Sequence, residues 1–355
     1  MTIYKFQIII NFFNISKKYV NIHSIENNLK KLIKGDNKMN NNNSQITETI
    51  LMIKPIAFNY NVETAVNNYY QTAPDKVNND FIQKKALVEF NSCVKTLKDV
   101  GIDVIVVEDT LDPPTPDSIF PNNWISFHED GRIVLYPMFA KNRRLERRMD
   151  ILDILGDKNF EINEVLDYSK FEEEEIFLEG TGSMILDRIA KKVYCALSPR
   201  ANLTLLNKFC NDLGYTPISF TAYQWSKDRR LPIYHTNVLM AIGESFAILC
   251  TSSIDDLKEK NKVISELKSD GKIIIDITEK QVNNFAGNAL QIKNSKGEKF
   301  LLLSNTAKAI LSEDQIKSIE ETSNILSVDV DTIQRYGGGS IRCMMAEVFL
   351  LKKTL

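Results

Sequence analysis

The chain has 355 residues, 43% hydrophobic and 25% charged, with 5 cysteines and 3 histidines. Lys+Arg total 44 against 46 Asp+Glu, giving a net charge of −2 with no basic stripe, which argues against a nucleic-acid partner. No apolar run reaches the roughly 18 residues of a membrane span, and the ordinary charge content argues against wholesale disorder or a coiled coil.

Residues 1–45 run through FQIIINFF to a polar MNNNNSQ tract, with no acid before Glu26 and no arginine before Arg132. The lack of arginine argues against a mitochondrial presequence, and a disordered or weakly helical extension is expected. Residues 46–355 are expected to form one α/β domain. In it TILMIKP reads as a buried strand, NDFIQKKALVEFNSCVKTLKDVG as an amphipathic helix stopped by Gly101, and IDVIVVED as a second strand. A unit then recurs. Hairpins are expected around Gly131, near residue 190, around Gly243 and around Gly297. Helices are expected over NRRLERRMDILDIL, ANLTLLNKFCNDLG, IDDLKEKNKVISELKSDG and SEDQIKSIEETS. Strands follow the last three of them, in TPISFTA, KIIIDI and ILSVDV.

A period of about 55 residues suits a ββαβ module. If the last strand, MMAEVFLL, pairs with the first, a fifth module closes a ring and hides the open sheet edges. A doubly wound sheet is the alternative, and it expects single strands alternating with helices rather than hairpins.

The cysteines, Cys93, Cys195, Cys210, Cys250 and Cys343, are odd in number and widely spaced, which suits a reducing, cytoplasmic setting. Four read as core residues. Cys343 follows a glycine run in QRYGGGSIRCMMAEVFL, where backbone N–H groups can hold an anion and Arg342 can stabilise a thiolate. It reads either as a nucleophile or as a core cysteine led in by a turn. His235, in PIYHTN, is a partner for Cys–His chemistry or a structural histidine. Glu179, in FLEGTG, can fix an imidazole, bind a cation or simply end a strand. Asn122 and Asn123 stand at a strand entrance. Arg143, Arg144 and Arg200 stand at expected helix starts, where they can grip a carboxylate or face solvent. The three histidines, His23, His128 and His235, lie far apart, which disfavours a histidine-rich metal site.

Taken in order, these segments resemble the guanidino-group-modifying superfamily of amidinotransferases, arginine deiminases and dimethylarginine dimethylaminohydrolases, over residues 49–355. GGGSIRCMM is similar to its nucleophile segment, LEGTG to L-[ED]-G-G-D, YHTN to H-x-D, SPRAN to S-x-R-[TA] and NRRLE to R-R-x-E. FPNN falls where the family has an acid before a strand. The resemblance implies an α/β five-bladed propeller, the pentein fold, of ββαβ modules with pseudo-fivefold symmetry. It also implies Cys343 as nucleophile, His235 as general acid and base, and Glu179 holding His235 and the substrate nitrogens. Arg200, with Arg143 or Arg144, would bind the substrate carboxylate. No metal or organic cofactor is implied; the partner is a small amino acid, with no nucleic acid or membrane, and a possible homodimer.

Three departures bear on the substrate. Asn123 and Asn237 stand where guanidinium binders carry Asp, and Gly182 replaces the acid of L-[ED]-G-G-D. An unpaired buried carboxylate beside a neutral ligand would be costly, by roughly several kcal/mol. The substitutions therefore favour a neutral ureido group, and the chain is most similar to the citrulline-utilisation hydrolase type. Citrulline hydrolysis to ornithine, carbon dioxide and ammonia is the leading expectation. Dimethylarginine hydrolysis, arginine deimination, amidino transfer and a catalytically silent binding propeller are the alternatives.

Overall fold

The structure is a computed structural model that describes residues 44–74, 78–226 and 228–353. The expected extension lies outside the described residues, apart from its last two positions, Ser44 and Gln45. Gln45 is buried: its amide donates to the Leu186 carbonyl and accepts from the Arg188 N–H.

The chain opens with strand β1 (Thr49–Lys54), an apolar run buried along nearly its whole length, as suits a strand covered on both faces. A helix, Asn79–Asp99, follows. Asn78 caps it by accepting from Asp80 N, and Ile82, Ala86, Phe90, Cys93 and Leu97 form its buried stripe. Gly101 turns the chain at φ +85° into β2 (Asp103–Glu108), which pairs parallel with β1.

The same pattern then repeats. β3 (Ile125–Phe127) and β4 (Arg132–Leu135) form a hairpin, and β5 (Glu164–Asp167) adds in parallel to β4. β6 (Ile185–Asp187), β7 (Lys192–Ala196) and β8 (Thr216–Phe220) repeat the arrangement. A separate two-stranded hairpin, β9 (Tyr223–Ser226) with β10 (Arg229–Pro232), comes next. β11 (Met240–Ile242), β12 (Phe246–Leu249) and β13 (Ile273–Asp276) form another such sheet, and β14 (Leu290–Lys293), β15 (Lys299–Ser304) and β16 (Asn324–Val328) the next. Finally β17 (Ala346–Val348) pairs antiparallel with β1, so the last strand completes the first sheet. Among the described residues there are five three-stranded sheets, each with one antiparallel and one parallel pair.

All four expected hairpins form, as does the joining of the last strand to the first. Two expectations are corrected. NRRLERRMDILDIL is not one helix: a 3-10 turn, Lys141–Glu146, is separated by extended Arg147 from a short helix, Asp150–Asp157. Arg143 and Glu146 are drawn inside as a buried ion pair while Leu145 and Met149 face outward, so the apolar spacing did not mark a single buried stripe. Cys343 likewise does not lead directly into the last strand but sits in a 3-10 turn, Ile341–Met344, just before it.

The cores lie between sheets. Leu51, Trp124, Phe127, Leu135, Ala346 and Val348 join the first sheet to the second. Another cluster joins the helix Asn79–Asp99 to the sheet of β14–β16 and to the turn around Cys343. Cys93, Cys195, Cys210 and Cys250 are buried and free, as expected of core residues. No described helix is long and apolar enough to cross a membrane.

Candidate active site

Glu179, His235 and Cys343 come from three sequence-distant turns, each leading into the first strand of a hairpin or the closing strand. Glu179 begins the turn Gly180–Ser183 before β6. That turn lies against the Asn122–Asn123 turn before β3. A Cβ on Gly180, which has φ +47°, would stand 2.3 Å from the Asn122 carbonyl oxygen, so only glycine fits. His235 precedes the turn Thr236–Val238 before β11. Thr236 ties the two turns together, donating to the Ser183 carbonyl at 2.5 Å and accepting from Ala196 N at 2.8 Å.

Glu179 is fully buried. Its Oε2 lies 2.7 Å from His235 Nε2 and 3.4 Å from Arg200 Nη1, and its Oε1 accepts from Phe139 N at 2.9 Å. Burial alone would raise its carboxyl, but Arg200, the His235 bond and Arg143 outweigh it and hold it at about 2. Burial pushes His235 down to about 4 against the pull of Glu179. At neutral pH the pair is therefore an ionised carboxylate and a neutral imidazole. Nε2–H donates to Glu179, which leaves Nδ1 as the basic nitrogen.

His235, Cys343, Asn123, Arg143 and Arg200 line one small pocket, together with Thr64, Asn68, Asp117, Phe120 and Tyr234. Cys343 is buried, and its Sγ accepts from Asn237 Nδ2 at 3.3 Å and from Asn288 Nδ2 at 3.2 Å. The expected role of Arg342 beside the sulfur is corrected. Its guanidinium turns away to the Met345 carbonyl and to Glu347, at 2.9 and 2.7 Å. The middle glycine N–H of the run is not a free anion donor either, because Gly338 N donates to the Gln334 carbonyl at 2.9 Å.

The arginines divide. Arg200 stacks on Tyr234 at 4.8 Å and donates to Asn67 Oδ1 and the Thr64 carbonyl as well as to Glu179. Arg143 grips Glu146 with two bonds of 2.9 Å and reaches Asn123 Oδ1 with Nη1 at 2.8 Å. Arg144 does not face the pocket. It donates to the Met138 carbonyl and pairs with Glu172 at 3.5 Å, so of the two tandem arginines Arg143 lines the pocket. Asn122 is buried behind Asn123, accepting from it at 3.1 Å, and does not line the pocket. His128 stands apart, bonded to Ser126 at 2.9 Å, with burial depressing its basicity.

The sequence reading did not single out Asp117 or Asn288. Asp117 precedes the FPNN segment and lines the pocket. Its Oδ2 accepts from Asn61 and Thr64, and its Oδ1 has no hydrogen-bond partner. Its signal was an acid just ahead of FPNN; that of Asn288 was an Asn following a glycine at a strand entrance. Among the described residues no cluster of His, Cys, Asp and Glu could hold a metal ion.

Residues 54–350 match the family model described as eukaryotic N,N-dimethylarginine dimethylhydrolase. The chain belongs to this family. It is thereby a hydrolase of carbon–nitrogen bonds within the guanidino-modifying pentein superfamily. No curated protein sequence matches the chain. Among solved structures it is similar to apo ArgZ, an arginine dihydrolase of the cyanobacterial ornithine–ammonia cycle, with TM-score 0.64 and 16% identity over 86% of this chain and 41% of ArgZ. The chain thus spans less than half of full-length ArgZ. Against the N-terminal domain of ArgZ, in a cysteine-to-serine variant bound to substrate, the values are 0.63 and 17% over 85% of this chain and 99% of that domain. DDAH from Pseudomonas aeruginosa, complexed with citrulline, gives 0.54 and 14% over 85% and 99%. Likeness at this identity establishes a shared mixed α/β fold.

Two predictions follow from this geometry. A Cβ on Gly182 would lie 2.4 Å from Asn123 Nδ2 and 2.9 Å from His235 Nδ1. Gly182→Ala should therefore displace the imidazole and lower kcat by about 100-fold; steady-state kinetics giving an unchanged kcat would contradict the placement. The second concerns pH. His235 falls from its ordinary 6.5 to about 4 on folding, so the unfolded chain binds the extra proton as pH drops through that window. The folded state then loses stability on the order of 3 kcal/mol from this group. Between about pH 7 and about pH 4.5 the wild-type Tm should fall further than that of His235→Gln, in which His128 still titrates. Equal losses would refute the assignment.

Proposed function

We propose that this hydrolase cleaves the ureido group of citrulline to give ornithine, carbon dioxide and ammonia. We further propose that its five sheets are the blades of a closed α/β propeller, with the pocket at the strand entrances. The observation that carries the substrate reading is the amide of Asn237 on the nucleophile's sulfur, at 3.3 Å. Attack on a ureido carbon turns its carbonyl into an oxyanion two bonds from the sulfur. An amide N–H there can donate to that oxygen, which a carboxylate cannot do. Asn123, in the pocket wall, is likewise neutral.

In this reading the Cys343 sulfur attacks the ureido carbon and the thiol proton passes to neutral His235. His235 returns that proton to the departing nitrogen, ammonia leaves, and a thiocarbamate joins Cys343 to the ornithine nitrogen. His235 then takes a proton from water, whose oxygen attacks the same carbon and expels the thiolate, and His235 returns that proton to the sulfur. The resulting carbamate loses carbon dioxide to leave ornithine. Glu179 stays ionised throughout and stabilises the imidazolium formed in each half-reaction. At the other end of the substrate, Arg200 and Arg143 face the α-carboxylate, and the unpartnered Oδ1 of Asp117 suits the α-ammonium.

Arginine is the second reading. It is favoured by the ionised Glu179, a carboxylate able to pair with a guanidinium, and it accords with the arginine dihydrolase activity named for ArgZ. The test is a substrate panel of citrulline, arginine, dimethylarginine and succinylarginine with products identified. Citrulline should yield equal amounts of ornithine and ammonia. Turnover of arginine or dimethylarginine with citrulline untouched would overturn the citrulline reading.

A further inference from the structure

Asn288 stands in a short loop between the helix Glu279–Val282 and β14, apart from all the segments on which the family resemblance rests. It is 1% exposed, and its side chain makes three bonds. Nδ2 donates to Cys343 Sγ at 3.2 Å and to the Asn237 carbonyl at 3.0 Å, and Oδ1 accepts from Arg342 N at 3.0 Å. One amide thus holds the sulfur, the backbone one residue ahead of it, and the turn that carries His235. The loop is pressed into place next door: a Cβ on Gly287 would stand 2.4 Å from the Val238 carbonyl oxygen, so the backbone itself touches the His235 turn.

We propose that Asn288 is a further catalytic residue of this site, supplying with Asn237 a pair of amide N–H donors that stabilise the Cys343 sulfur as a thiolate and aim it. The inference rests on Cys343 being the nucleophile but not on citrulline being the substrate. The chemistry explains the residue type. A thiolate is an acceptor only, so each contact with it needs a donor. The cation adjacent in sequence, Arg342, is turned toward Glu347. With the two amides on the sulfur, Asn288 accepts from a backbone N–H through its other terminus, so its amide orientation is set by all three bonds together. An aspartate in its place would preserve the Arg342 bond and the side-chain shape while setting a second negative charge against the sulfur.

Asn288→Asp therefore separates a chemical role from a packing role. The readout is the ultraviolet thiolate absorbance against pH, taken as the difference from Cys343→Ala so that tyrosines and the four other cysteines cancel. The midpoint should move upward by at least about one pH unit relative to the wild type, with kcat on the best panel substrate reduced by about 100-fold or more. A midpoint unchanged in folded Asn288→Asp would overturn the proposal whatever the substrate proves to be. Should that variant fail to fold, Asn288→Ser, which shortens the donor out of reach of the sulfur without adding charge, is measured in the same way. An upward shift supports the role, and none refutes it.

Discussion

A carboxylate with no solvent exposure, Glu179, is the interaction on which the rest of the site depends. A buried charge is tolerated only when it is paired and hydrogen-bonded. Here the partners come from three separate places in the chain: His235 before β11, Arg200 after β7 and the Phe139 N–H after β4, while the Gly180–Ser183 turn presents the carboxylate. Satisfying the charge requires the second, third and fourth sheets to stand in one arrangement, and that arrangement places a neutral imidazole in the same pocket as Cys343. The antiparallel pairing of β17 with β1 anchors the other side, carrying the end of the chain, and the cysteine just before it, into the first sheet.

The two arginines of the pocket follow the same logic. Each is nearly inaccessible and each is matched to an acid, Arg200 to Glu179 and Arg143 to Glu146. Their fixed forks can meet a carboxylate without first losing side-chain freedom, which favours tight orientation of an amino-acid substrate. The charge deficit at Asn123 and Asn237 is only part of the local balance, because Asp117 brings an acid back to the pocket wall. In the proposed reading the site separates its charges: two amides hold the sulfur, while Arg143, Arg200 and Asp117 would meet the substrate's α-carbon end.

Much of this was legible in the sequence because the module repeats. Hairpins around Gly131, Gly243 and Gly297 leave apolar strands on both sides of a turn signal, and helices after the last two carry side-chain caps from Asp256 and Ser312. Cys343, His235 and Glu179 were visible because each stands at the same place in its module. Other features left no such mark. β5 is largely exposed and reads as polar, and β9 with β10 adds a hairpin outside the repeat. Arg143 and Arg144 are adjacent and identical in type, so only the inward turn of Lys141–Glu146 decides between them. Asn288 works through two atoms of one amide, and no pattern of hydrophobicity records that.

The central claim is that citrulline becomes covalently attached to Cys343 on its way to ornithine. Its most direct measurement is acid quenching of the working enzyme with citrulline carrying carbon-13 in both the ureido group and the ornithine chain, followed by digestion and mass analysis of the peptide that contains Cys343. The expected result is a thiocarbamate on that cysteine retaining both labels, since ammonia and not ornithine leaves first. Consumption of citrulline with the Cys343 peptide unlabelled, or with the adduct on any other residue, would contradict it.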